Sequence, residues 1–339
     1  MKTDRKYTII LVAVLLLTLV LNISLGSVGI SLTETLSILT GDATASEAHR
    51  FIILNYRLPK AITAILTGSG LAVAGLMMQT FFRNPLAGPF VLGISSGASL
   101  GVAIFILGGS VLGLSAVSTL GTWGTILAAS LGSFLVLGIV MAVAFRIRES
   151  MALLIIGLMF GSLTAAVVSI LAYFSPAEEL QRYIFWSFGS LGDIPWSRLG
   201  ILSICWFLGI LLAFAGIKTL NGLLLGEQYA RTLGISLNRS RLIIIISTSL
   251  LAGSLTAFTG PIAFVGLAVP HLIRQVIRSS NHWILLPCCM LGGAILILVC
   301  DSISQAPLQE FTLPINAITS LVGAPVVIWL LVRRKKLIF

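Results

Sequence analysis

Residues 57–101 read RLPKAITAILTGSGLAVAGLMMQTFFRNPLAGPFVLGISSGASLG. A basic pair, Arg57 and Lys60, flanks Pro59 and precedes 61–82, an apolar and small-residue run long enough to cross a bilayer as a helix. Arg83-Asn84-Pro85-Leu86-Ala87-Gly88-Pro89 then breaks the run, and a second apolar stretch, 90–107, returns. An arginine, an asparagine and two prolines between hydrophobic spans belong at a membrane face, because irregular backbone exposed to lipid would leave polar groups unpaired. The stretch is a helical hairpin in a membrane.

Composition agrees. The 339 residues are 57% hydrophobic and 9% charged, with a mean hydropathy of +1.08. A soluble domain carries about 25% charged residues, so this chain has too little charge for a solvated surface. The net charge of +10 does not point to nucleic acid, since lysines and arginines sit at the ends of apolar runs and form no basic-aromatic face. The four cysteines, Cys205, Cys288, Cys289 and Cys300, lie in or beside apolar runs without metal or disulfide spacing, and read as small buried hydrophobes.

Spans are expected over 7–25, 61–82, 90–107, 123–145, 151–174, 199–217, 242–258, 261–277, 284–303 and 313–332. The first follows Lys2, Arg5 and Lys6 without a small-x-small cleavage site and reads as an uncleaved helix. Leu32, Leu36 and Leu39 predict a short interfacial helix in the polar excursion 26–56, and 175–198 reads as a polar loop with interfacial Trp186 and Trp196. Ten crossings put both termini on one side. That side receives sixteen of the 21 basic residues; Arg50, Arg57, Lys60, Arg182 and Arg198 fall opposite, which places both termini in the cytoplasm. No linker divides the chain, so 1–339 is a single all-α domain.

Gly97 and Gly101, and Gly157 and Gly161, lie four apart on helix faces, which suits close helix packing or a subunit contact. Acidic residues fall almost entirely in loops, with Asp301 the one plausibly embedded, which argues against a proton- or sodium-coupled carrier. Gly93-Ile94-Ser95-Ser96-Gly97 matches a nucleophile elbow, but it opens a membrane helix, and His271, the one histidine placed in a span, is the candidate base. No phosphate-cradling Gly-x-x-x-x-Gly-Lys-Ser/Thr occurs, so ATP is not hydrolysed on this chain. Residues 225–237 read as a short amphipathic helix and a turn, with Ala230, Leu233 and Gly234 on one side. That side would either dock into a partner or lie on headgroups.

These residues, taken together, resemble the permease subunits of type II ABC importers, which take up iron-siderophores, haem and cobalamin. The likeness runs from Arg57-Leu58-Pro59-Lys60 through Gln79-x-x-Phe82-Arg83-Asn84-Pro85-Leu86-Ala87 and Leu92-Gly93-Ile94-Ser95-Ser96-Gly97-Ala98. It continues through Gly226-Glu227, Leu233-Gly234-Ile235, the run Gly260-Pro261 to Pro270-His271, Leu313-Pro314 and Gly323-Ala324-Pro325. The resemblance implies ten helices, a homodimer around the path, two cytoplasmic ATPase subunits that hold the ATP and Mg²⁺, and an external solute-binding protein. By that likeness Arg57 and Lys60 meet the binding protein. Gly226, Glu227, Tyr229, Ala230, Leu233 and Gly234, within a cytoplasmic segment of about 219–240, couple to the ATPase. Asn84, Leu86, Ser150 and Met151 narrow the cytoplasmic end of the path, and no cofactor or metal is implied on this chain. Two outer positions depart from the pattern: Gln305 stands where relatives often carry arginine, and Thr312 where they carry glutamate. A third docking cation is then missing, or Arg50 or Arg182 replaces it. The readings to be weighed against an importer are a self-sufficient secondary carrier and, more remotely, an intramembrane hydrolase.

Overall fold

The computed structural model describes residues 2–41, 46–109, 116–146, 150–305 and 312–333. Among them every regular element is helical. In chain order these are α1 (Lys2–Ser24), α2 (Leu32–Thr40), α3 (Glu47–Ile52), α4 (Leu58–Phe82), α5 (Ile94–Ala103), α6 (Ala116–Arg146), α7 (Ser150–Phe174) and α8 (Ala177–Ser187). Then come α9 (Trp196–Ala215), α10 (Ile217–Leu224), α11 (Glu227–Thr232), α12 (Leu237–Thr259), α13 (Val265–Val276), α14 (His282–Gln305) and α15 (Ile315–Arg333). Seven helices among the described residues are long and apolar enough to cross a membrane; Ile94–Gly108 and Ile315–Trp329 are shorter apolar helices.

The centre is α4. Twenty-one of its residues are buried, and α14, α12, α13 and α9 pack around it. Its sequence permits this because small residues line several faces and let neighbouring backbones close in, which in lipid takes the place of a hydrophobic driving force. A Cβ on Gly68 would lie 2.1 Å from the carbonyl oxygen of Gly293 in α14, and one on Gly75 would lie 1.7 Å from that of Gly266 in α13. Gly97 and Gly101 of α5 likewise face Gly132 and Ala128 of α6, so this expected close contact lies between helices of one chain.

Hydrogen bonds sort the connections into two ends, as ten alternating crossings require. At one end Asn221 Nδ2 donates to Asn281 Oδ1 at 3.1 Å, and the Arg83 side chain stands over Gly226. At the other, Trp196 Nε1 donates to the carbonyl of Leu54 at 2.9 Å, and Ser190 N donates to that of Thr259 at 2.8 Å. The first is the arginine-rich end.

Two expectations need correction. The span expected over 261–277 is helical only from Val265 to Val276; Gly260 and Phe264 both adopt positive φ, and the backbone between them is irregular. Twelve residues rise about 18 Å, short of the ~30 Å hydrocarbon core, so this segment is a half-helix. Such backbone is tolerated at membrane depth only when buried in protein. Asn316 meets part of that requirement: its Oδ1 accepts the N–H of Ala263 at 3.0 Å, and its own N–H reaches the carbonyl of Phe188 at 3.2 Å. The loop read at 175–198 contains α8, whose start is signalled by Pro176 and by Glu178 and Glu179 in the first turn. The interfacial helix expected near 31–39 is α2, N-capped by Ser31, whose Oγ accepts from Glu34 N at 3.2 Å.

Candidate functional site

At the arginine-rich end, α4 stops at Arg83, which takes the left-handed conformation. Asn84 follows as an Asx turn, its Oδ1 accepting the N–H of Leu86 at 2.9 Å, while Leu86 itself is 45% exposed. The loop is pinned from below by α13: His271 Nε2 lies 2.8 Å from the carbonyl of Pro85, so that nitrogen carries the hydrogen and donates. Gln79, one turn before the loop, donates through Nε2 to the carbonyl of Leu267 at 3.2 Å. Leu86 thus projects from a loop held by side chains of α4 and α13. Ser150 and Met151 open α7, and their side chains lie outside the described residues.

Beside this loop lies the short segment α10–α11. Gly226 and Gly234 bracket α11 with φ of 100° and 77°. Leu225, Tyr229 and Leu233 are 61%, 54% and 56% exposed. Ala230 is fully buried, against Ile235 and near Gly222. The sequence reading put Ala230 on the exposed side with Leu233, and the structure reverses that. Leu225, Tyr229 and Leu233 recur at four-residue spacing on the exposed side, and Gly234 beyond them is exposed too, whereas Ala230, one residue after Tyr229 and about 100° round α11, faces the body of the protein. The backbone of Glu227 opens α11; its side chain lies outside the described residues.

The loop and the segment meet. Leu225, Gly226, Gln228, Tyr229, Thr232 and Arg83 line an open hollow of about 680 Å³. The side chain of Arg83, the residue that precedes the Asn84–Leu86 turn, thus borders α11.

At the opposite end the expected docking cations face inward. Arg57 is 8% exposed and donates to the carbonyls of Ile23 at 3.0 Å, Ser24 at 2.7 Å and Val28. It caps the carbonyl end of α1, where a cation is also favoured by the helix dipole. Lys60 Nζ lies 3.0 Å from Asp301 Oδ1. Asp301 is 2% exposed and also accepts from Asn22 Nδ2 at 2.9 Å and Gln305 Nε2 at 2.7 Å. Gln305, the departure noted in the sequence, thus serves Asp301 from within. Arg50 and Arg182 are the exposed cations of this end, Arg182 with Glu179 Oε1 at 3.8 Å.

The arrangement bears on the other two readings. Ser95 Oγ is buried without a hydrogen-bond partner among the described residues, and His271 Nε2 is directed at Pro85, so no serine–histidine pair forms. Asp301, the embedded acid that an ion-coupled carrier would use, has its oxygens engaged by Lys60, Asn22 and Gln305. Among the described residues no group of three or more His, Cys, Asp or Glu side chains is placed to hold a metal ion.

Comparison with known proteins identifies the family. The profile of the FecCD transport family matches residues 14–333. The hemin transport system permease protein HmuU of Yersinia pestis is 36% identical over 296 residues, covering 87% of each chain. The vitamin B12 import system permease protein BtuC of Klebsiella pneumoniae is 33% identical over 340 residues, 98% of this chain and 96% of that one. A solved structure described as an inward-facing conformation of a metal-chelate type ABC transporter superposes with a TM-score of 0.84 at 30% identity, covering 97% of this chain and all of the other. The chain is a multi-pass protein of the bacterial inner membrane, and it belongs to the FecCD transport family.

Proposed function

We propose that this chain is the transmembrane permease subunit of an ATP-driven importer for a bulky chelate of the iron-siderophore, haem or cobalamin type. Two copies enclose the path, two cytoplasmic ATPase subunits grip α10–α11, and a solute-binding protein delivers cargo at the opposite face. The observation that carries the reading is the contact between the exposed face of α11 and the gate loop through Arg83. ATP binding closes the ATPase pair and moves the segment it holds. Because α4 is packed on all sides, that movement displaces helices as rigid bodies and opens or narrows the passage at Asn84 and Leu86. Engagement of Asp301 within the protein supports an energy source outside this chain. At the outer face Arg50 and Arg182 are offered for docking as they stand, whereas Arg57 and Lys60 would first have to leave their internal partners.

The test is co-purification from detergent with the partner ATPase and binding protein. ATP hydrolysis should depend on this chain and rise with a loaded binding protein. Glu227→Arg and Gly234→Trp, the second at a positive φ, should abolish uptake while the protein still inserts. Uptake that persists without any ATPase and collapses with an ion gradient would instead establish a secondary carrier.

A further inference from the structure

His282 is the first residue of α14 and fully buried, and nothing in the transport cycle described above uses it. Nδ1 lies 2.8 Å from Asn221 Oδ1, and Nε2 lies 2.9 Å from Thr80 Oγ1, whose one hydrogen is shared between that nitrogen and the carbonyl of Leu76, also 2.9 Å away. The backbone N–H of His282 donates to the same Asn221 oxygen at 2.9 Å. Neighbouring bonds fix the amide orientations. Asn281 Oδ1 accepts the N–H of Trp283 at 3.0 Å, so it is an oxygen, and it takes a hydrogen from Asn221 Nδ2 at 3.1 Å. The atom of Asn221 facing the ring is therefore its carbonyl oxygen, an acceptor only, and His282 Nδ1 donates.

The positions matter as much as the bonds. Asn221 lies in α10, one turn before the exposed face at Leu225, Tyr229 and Leu233. Thr80 lies in the last turn of α4, four residues before Asn84. A single planar ring thus spans the coupling segment and the helix that carries the gate. Apolar contacts between helices are non-directional and allow sliding, whereas a buried ring that donates through Nδ1 and shares the Thr80 hydroxyl hydrogen through Nε2 resists shear on both sides. We propose that His282 is a positioning residue that transmits movement of α10 into the end of α4, and so into the gate loop. This rests on the importer reading.

The test uses the assembled permease–ATPase complex in membranes, with Leu86→Cys as reporter and a membrane-impermeant maleimide as probe. Labelling is compared without nucleotide and with Mg-ATP plus vanadate, and ATP hydrolysis is followed in parallel. Cys288, Cys289 and Cys300 are buried and give little background, and the half-buried Cys205 is replaced by serine throughout. In the parent complex, nucleotide should change the labelling rate. Thr80→Val and Asn221→Ala should each shrink that change roughly tenfold, and the double variant should be no worse than either one, as for two links of one chain. Thr80→Ser retains the hydroxyl and should retain the response. A residue that only stabilised the fold would lower complex yield and ATP hydrolysis together, leaving the response of the surviving complex intact. A full response in Thr80→Val or Asn221→Ala, or losses that multiply in the double variant, would overturn the proposal. A parent complex without ATP hydrolysis, or without any nucleotide response at position 86, would overturn the importer reading itself.

Discussion

Lys60 Nζ lies 3.0 Å from Asp301 Oδ1, and the pair ties the outer end of α4 to that of α14. The two partners are not equivalent. The Asp301 side chain is 3% exposed, whereas that of Lys60 is 20% exposed and retains a route to water. Removing the cation strands a buried carboxylate, which costs about 3 kcal/mol or more; removing the carboxylate leaves an ammonium that solvent reaches. Lys60→Met should therefore lower the unfolding temperature in detergent more than Asp301→Asn. The double variant should recover most of the loss. Equal effects of the two single changes would show that the pair is solvated.

The glycines at the α4 contacts make a steric prediction. A Cβ on Gly75 would sit 1.7 Å from a backbone oxygen of α13, an atom that cannot move without its helix. Gly75→Ala should cost roughly 2 kcal/mol or more, read as lost yield and lowered thermal stability. Gly200→Ala in α9 is the control, since nothing lies within 4 Å of its Cβ position, and it should behave as the parent.

The fate of Gly75, Arg57 and Ala230 shows what the sequence carried. The spans and the hairpin at 57–101 were legible because length and hydropathy are local properties. The half-helix α13 was not, since 261–264 is apolar and reads as span; what stops the helix is the positive φ at Gly260 and Phe264, satisfied in part by Asn316 more than fifty residues away. The partners of Arg57 are carbonyls 29 to 34 residues upstream, and no spacing rule reports such contacts. Ala230 was misplaced by one helical step, an error of register along an otherwise correctly located segment. His282 and Asn221 were passed over because each is an ordinary polar residue next to a loop until the fold brings them together.

That one-step difference on α11 separates two classes of variant. Tyr229→Ala and Leu233→Ala remove exposed surface and should weaken ATPase association roughly tenfold while thermal stability stays at the parent value. Ala230→Leu overfills the contact with Ile235 and Gly222, so it should lower stability first and association only as a consequence. Pull-down with the partner ATPase and thermal unfolding of the permease alone, run on the same three variants, separate the two. A stable Ala230→Leu protein that fails to bind would return Ala230 to the docking face.

Arg57 gives the last prediction, because the docking role and the capping role differ in what lysine can replace. A docking cation at a solvated surface is met by either residue, since the partner's carboxylate mainly requires charge. The geometry here requires more: one nitrogen donates to the carbonyls of Ile23 and Ser24 and a second to that of Val28, with the guanidinium packed against Gly26. A planar fork meets those carbonyls with two separate nitrogens, whereas an ammonium presents one. Hydrogen bonds from charged donors contribute roughly 1.5–3 kcal/mol each, so Arg57→Lys should lower the unfolding temperature of the isolated permease clearly, and Arg57→Ala further. If Arg57→Lys instead unfolds at the parent temperature and loses only its response to the binding protein, the guanidinium serves the outer face after all, and the end of α1 is held by its other contacts.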